Sequence, residues 1–433
     1  MNAASLFRDA ARAHPERIAF HEGRRAITFG ALWERVERFP VREHDRALIM
    51  LPMSVELYVA LLGVLHANAV AVFLDPWVGP RRMIQLARHA RPTKWIGTWK
   101  SQLLRLFVSL ESGRPAPPPG AAGTPALLTF TTGSSGTPKS VNRTHRILIA
   151  QHERLAEAFP PKEGDVDLCT FPIFALNNLA LGVTTIIPPI DLKRIDALDP
   201  RLVARVGKSA TTATSSPPLF DALAKLAERP RFRRILTGGA PVTDAQLRAW
   251  IAAWPEAEIV IAYGSSEAEP VAHIEARERL AAGGRGYLAG RIVNGVKAKL
   301  DLIDDKVGEL LVAGEHVATE HEWHRMGDTG WFDEEGRFRI AGRVHSTIWR
   351  NGVAHHAQLV EQAAWGEDPR IKRVAAVGKE GRLVVVVESS SRQVAEDVRK
   401  RVDADEVIVT NEPLPVDPRH NSKIDYAKLR ESL

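Results

Sequence analysis

Thr129-Phe-Thr-Thr-Gly-Ser-Ser-Gly-Thr-Pro-Lys-Ser140 overlaps the end of an apolar run, Ala126 to Phe130, and gathers two glycines, a series of hydroxyl side chains and one lysine. A loop of this composition after a buried strand can surround phosphate oxygens with N–H and hydroxyl donors, and Lys139 adds a point charge. It is not a Walker P-loop. Aligned on Gly133, Lys139 and Ser140, the pattern GxxxxGK[ST] requires glycine where this chain has Pro138, which lacks an N–H and has a fixed φ. Taken alone, the stretch reads equally well as a polar surface turn.

Four further stretches follow in order: Gly238-Gly-Ala-Pro241, Tyr263-Gly-Ser-Ser-Glu267, Met326-Gly-Asp-Thr-Gly330 leading to Gly342-Arg343, and Arg419-His-Asn-Ser-Lys423. Between them, apolar strand-like runs alternate with helical patterns. The strands include Arg46 to Leu51, Ala69 to Leu74, Val183 to Ile187, Arg234 to Leu236 and Ile259 to Ala262; Pro218 to Glu228 and Asp244 to Trp254 read as helices. That alternation predicts parallel α/β layers. Gln102 to Ser112 reads as helix, and Gly113 to Gly120, rich in proline, as an exposed connection. After Gly290 the texture changes to short strands and tight turns, including a hairpin over Gly330 to Ile340. From about Gly342 a smaller α+β unit follows, with a helix near Ala357 to Ala364 and strands at Val374 to Val377, Leu383 to Val387 and Glu406 to Thr410.

Composition narrows the class. In 433 residues, 45% hydrophobic and 25% charged, there is ample apolar material for two or three domains, and disorder is excluded. The single cysteine, Cys169, cannot form an intramolecular disulfide, and no CxxC pair exists for zinc, so a reduced, cytoplasmic setting is expected. The N-terminal twenty residues lack the apolar h-region of a signal peptide. Glu56, His66 and Asn68 interrupt the most apolar window, Val55 to Leu74, which predicts a core helix and a buried strand, with no membrane span. The net charge of +6 is spread without a block of like charges; it gives no support to a nucleic-acid partner, and an anionic small substrate accounts for it as well.

Together, the TTGSSGTPKS loop, the YGSSE segment, the MGDTGWFDEEGRFRIAGR segment and the late lysine resemble the signatures of the adenylate-forming superfamily of acyl-CoA synthetases, nonribosomal-peptide adenylation domains and luciferases. The resemblance spans nearly the whole chain in the family's order. It implies an α/β fold: a large N-terminal domain (1–342) of two αβ layers plus a distorted β-barrel, and a small mobile α+β C-terminal domain (343–433). It also implies an ATP-dependent ligase in which a carboxylic acid attacks the α-phosphorus of ATP and expels pyrophosphate, chemistry that rests on positioning and charge neutralisation.

By the same resemblance, Thr131, Thr132, Gly133, Ser134, Ser135, Gly136, Thr137 and Lys139 would hold the β- and γ-phosphates. Glu267 would ligate Mg²⁺, with Gly264, Ser265 and Ser266 leading to it. Tyr263 would stack on adenine against Gly239, Ala240 and Pro241, Asp328 would bind the ribose hydroxyls, and Arg343 would support the ribose or the hinge. Lys423 would swing in as the adenylate forms. Phe171 and Phe174 lie in a segment that resembles the acyl-pocket lining; Phe174 reads equally as core.

The chain departs from the family pattern at the hinge, where His345 and Ser346 replace the usual Asp or Lys and Trp349 replaces a lysine, and in a shortened segment between Gly314 and His324. These features, with Asp167 to Leu176, His324 to Asp328 and Pro415 to Lys423, look most like the olefin β-lactone synthetase branch, in which a β-hydroxyl attacks the activated carbonyl. The alternative is a ligase that passes the acyl group to the thiol of CoA or an acyl carrier protein. A regulatory adenylate-binding protein without catalysis is disfavoured by Lys139, Glu267, Asp328 and Lys423.

Overall fold

The computed structural model describes residues 2–74, 79–98, 103–105, 125–132, 138–190, 198–416 and 424–433, with the backbone alone at 131, 132, 138 and 139. Most of the expected helix from Gln102 and all of the proline-rich connection lie outside the described residues. Two sheets make the larger part. One has five strands, in the order Lys94–Gly97, Arg46–Met50, Val70–Phe73, Pro125–Thr132, Pro138–Thr144. The other has thirteen, and its centre is a parallel array running Ile18–Glu22, Thr184–Ile187, Val166–Cys169, Thr212–Ser215, Arg234–Gly238, Glu258–Tyr263.

Helices fill the space between the sheets. Val55–His66 is buried on almost every face, as the apolar window predicted, and Ser54 caps it by accepting from the Leu57 N–H. Its Tyr58 stacks on Phe20 with ring centroids 4.7 Å apart. One apolar cluster joins Ile49, Ala71 and Leu127 of the small sheet to Phe20, Leu236 and Val260 of the large one, so the two layers share a core.

Two central strands were not legible in the sequence. Val166–Cys169 carries Asp167, a residue depleted in strands, and Thr212–Ser215, Thr-Ala-Thr-Ser, lacks the apolar run that marks a buried strand. The structure makes them compatible: the fully enclosed Asp167 carboxylate accepts from the hydroxyls of Thr212 (2.9 Å) and Thr214 (3.2 Å) and from the Asn178 amide (2.8 Å). Burial raises the Asp167 pKa, and these hydrogen bonds oppose the shift.

Past Tyr263 the sheet turns antiparallel, because the connection to Ala272–Glu275 is too short for the crossover that a parallel neighbour needs. Tyr287–Ile292, Arg337–Arg343, His324–Phe332, Gly308–Ala313 and Lys297–Leu302 extend it to its edge. The expected distorted barrel is therefore not closed among the described residues: its strands continue the large sheet. The C-terminal part forms a separate three-stranded sheet, Arg373–Lys379, Arg382–Glu388, Glu406–Thr410, preceded by the hairpin Thr347–Arg350 and Val353–His356. Among the described residues, no helix is long and apolar enough to cross a membrane.

Candidate active site

The strand pair Pro125–Thr132 and Pro138–Thr144 is antiparallel, with Thr131 opposite Lys139 and Thr132 opposite Pro138. The chain thus continues as a strand after this segment, whereas a Walker loop opens a helix. Gly133, Ser134, Ser135, Gly136, Thr137 and Lys423 lie outside the described residues. The return strand ends at Thr144, whose hydroxyl caps the helix His145–Ala158 by accepting from the Ile147 N–H at 3.3 Å.

The C-terminal ends of the neighbouring parallel strands bring the next stretches together. Gly238 ends one strand with no room for a side chain, since a Cβ there would lie 2.6 Å from the Ala262 carbonyl oxygen. Gly239 follows at φ +75°, a conformation that favours glycine, with Ala240 half-buried and Pro241 exposed. A Cβ at Gly239 would face the tip of the Phe171 ring at 3.9 Å. Phe171 is half-buried at the start of Pro172–Ala180, whereas Phe174 is buried between Phe171 and Phe159, with centroids 5.9 and 6.3 Å away. Phe174 therefore packs as core, and Phe171 is the ring that faces the Gly239 loop.

Tyr263 ends the adjacent strand and donates its hydroxyl hydrogen to Asp328 Oδ2 at 2.8 Å. Arg343 Nε lies 2.8 Å from the other oxygen, Oδ1. Strand register dictates this contact, since Asp328 and Arg343 stand opposite one another. Burial and the Asp328 charge push the Tyr263 phenol well above its usual range, so it remains a neutral donor.

After Tyr263 the chain folds tightly. A Cβ on Gly264 would meet the Ala268 carbonyl oxygen at 2.7 Å, and the Ser265 hydroxyl accepts from the Glu267 and Ala268 N–H groups at 3.3 Å each. The Glu267 carbonyl in turn accepts from the Ala318 N–H at 2.8 Å, so the backbone presenting Glu267 is held from two sides. No group of three or more His, Cys, Asp or Glu side chains able to hold a metal occurs among the described residues.

Two residues near this turn escaped the sequence reading. Arg143, buried on the return strand, donates to Thr129 Oγ1 at 3.1 Å and to the Ser266 carbonyl. Glu269 has its carboxyl pushed up to about 7 by burial, opposed by Arg143. No local pattern marks either one. Just past Arg343, the Ser346 hydroxyl accepts from the Arg343 N–H (3.2 Å) and donates to the Arg343 carbonyl (3.0 Å), closing a short 3-10 turn, and Trp349 is exposed.

On this layered α/β body the strand ends gather the Gly239 turn, Tyr263, Asp328 and Arg343. The chain belongs to the AMP-binding enzyme family, whose pattern matches residues 7–320, and it is an acyl-adenylate-forming ligase that uses ATP. It is 29% identical to the olefin beta-lactone synthetase of Xanthomonas campestris pv. campestris, over 89% of this chain and 85% of that protein. The corresponding protein of Stenotrophomonas maltophilia is also 29% identical, over 89% and 86%. A probable CoA ligase of Humulus lupulus is 25% identical over 79% and 75%. ATP-bound MatB from Rhodopseudomonas palustris superposes with a TM-score of 0.83 at 18% identity, over 100% of this chain and 99% of that one, and so shares the fold.

Proposed function

We propose that the enzyme activates a β-hydroxy carboxylic acid with ATP and then closes it to a β-lactone. In the first step the carboxylate oxygen bonds to the α-phosphorus and pyrophosphate leaves. In the second, the β-hydroxyl oxygen bonds to the acyl carbon, the bond to AMP breaks, and the hydroxyl proton is released. Proximity replaces a second substrate, so no thiol carrier is required. The observation that carries the nucleotide half is the Asp328 carboxylate held by Tyr263 and Arg343. The lactone half is supported by the likeness to two olefin beta-lactone synthetases and by the Ser346-closed turn where thioester-forming relatives carry Asp or Lys.

In this reading Tyr263 and the Gly239-Ala240-Pro241 turn flank the adenine, Asp328 takes the ribose hydroxyls, and Phe171 borders the acyl group. The hairpin residues Thr131 to Thr137 and Lys139 address the β- and γ-phosphates. Lys423, from a C-terminal domain comprising 343–433, neutralises charge as the adenylate forms. Glu267, a single carboxylate on a braced turn, fits Mg²⁺, which takes one or two carboxylates and completes its shell with phosphate and water; when bound, the ion offsets phosphate charge. The enzyme works in the cytoplasm on a small acid.

The test is to supply Mg·ATP and a panel of acids without CoA. β-Hydroxy acids should yield AMP, pyrophosphate and a β-lactone detectable by its strained carbonyl absorption. Acyl-AMP that accumulates until CoA is added, and then gives a thioester, would replace the lactone reading with the CoA-ligase one.

A further inference from the structure

Arg143 occupies an unusual place for a cation. It lies on the return strand of the phosphate hairpin, paired with Leu127, and is buried. Burial lowers its pKa, and the Glu267 and Glu269 charges oppose that shift, so both carboxylates lie within its field. One guanidinium nitrogen reaches Thr129 Oγ1 on the leading strand of the hairpin. Another reaches the carbonyl of Ser266, 123 residues away in sequence and immediately before Glu267. A planar fork can hold these two acceptors at once, which a lysine ammonium does less well.

From this geometry we infer that Arg143 is a positioning residue for the Mg·triphosphate: it locks the phosphate hairpin to the turn that presents Glu267 and places a fixed positive charge behind the anionic part of the nucleotide. The inference rests on the reading that Glu267 addresses the metal. Two effects of removing Arg143 act in the same direction. The Ser266 carbonyl loses its tie to the hairpin, so Glu267 and the phosphate donors can separate. The pocket also loses a fixed positive charge, so it attracts the net negative Mg·ATP less strongly. Adenosine recognition by Tyr263 and Asp328 uses neither contact.

Equilibrium binding separates these roles, with Mg·α,β-methylene-ATP, the same analogue in EDTA, and AMP as probes. Arg143→Leu should weaken the Mg-loaded analogue by roughly 10- to 100-fold, the usual loss when a residue supporting a metal ligand is removed, and leave AMP affinity unchanged. The gap between Mg-loaded and EDTA-treated binding should shrink. Arg143→Lys, which keeps the charge without the fork, should fall between the two, and Thr129→Val, which removes one anchor only, should show a smaller loss of the same pattern. Equal losses for AMP and the analogue, or no loss for either, would overturn the inference. If Arg143→Leu does not fold, the Lys and Val variants decide by the same criterion. Glu267→Gln isolates the underlying reading: if it leaves the Mg dependence intact, the metal role of Glu267 fails, whereas a loss there with none in the Arg143 variants removes Arg143 alone.

Discussion

Replacing Asp328 by asparagine keeps the shape of the side chain and removes its charge. In the structure this carboxylate is 8% exposed and holds Tyr263 and Arg343 at 2.8 Å each. A ribose diol donating to it would form charge-assisted hydrogen bonds, worth about 1.5 to 3 kcal/mol in such a setting. Asp328→Asn should therefore weaken AMP and ATP alike by roughly ten- to a hundredfold, at about 1.4 kcal/mol per factor of ten. The fold should notice far less. The Arg343 side chain is 41% exposed, and an ion pair with so much water on one side contributes little to stability. Isothermal titration with AMP, which needs no metal, measures the loss directly, alongside a thermal melt. A second signature comes from Tyr263: removing the neighbouring negative charge should lower its ionisation from a raised value, visible in a spectroscopic pH titration. Unchanged AMP affinity in a folded Asp328→Asn enzyme would remove the residue from the nucleotide site.

Gly238→Ala should lower the melting temperature by the equivalent of about 1 to 3 kcal/mol, because its Cβ would force apart two central strands at the Ala262 carbonyl; an unchanged melt would contradict the packing. Phe171→Ala should raise KM for the acid more than KM for ATP, since the ring is proposed to border the acyl group and meets the adenine-flanking turn only by its tip at Gly239; steady-state kinetics with both substrates varied tells the two apart, and a larger rise for ATP would move Phe171 to the adenine side. Lys423→Ala should reduce acid-dependent pyrophosphate release by at least about a hundredfold while sparing turnover of supplied acyl-AMP, and equal loss of both half-reactions would show a different role. Glu361 accepts from the Tyr426 hydroxyl at 2.7 Å and from the Ala376 N–H at 2.9 Å, and burial pushes its carboxyl from 4.5 up to about 7. The folded protein thus binds this proton more tightly than the unfolded chain does. The stability linked to that proton is fully present below pH 4.5 and is lost as pH rises through about 7. The difference in melting temperature between wild type and Glu361→Gln, followed over that range, should trace this loss; a flat difference would refute it.

Periodicity and short motifs, taken from the sequence alone, were enough for the alternating layers, the buried helix after Ser54 and the glycine turn at Gly238-Gly239, because each depends on residues close together in the chain. Val166–Cys169 and Thr212–Ser215 were not readable: an aspartate in one and the want of an apolar run in the other hide both strands until the fold sets them side by side and the threonine hydroxyls satisfy the carboxylate. The antiparallel extension is likewise a matter of which edge remained unpaired beside Tyr263. Tyr263, Asp328 and Arg343 could each be nominated locally, yet only strand register places the carboxylate between the other two. Arg143 carries no local signal at all. A single arginine in Val141-Asn-Arg-Thr144 resembles an ordinary edge-strand cation, and its meaning appears only when tertiary packing buries it against a carbonyl more than a hundred residues away, where a charge must find partners or cost the fold dearly.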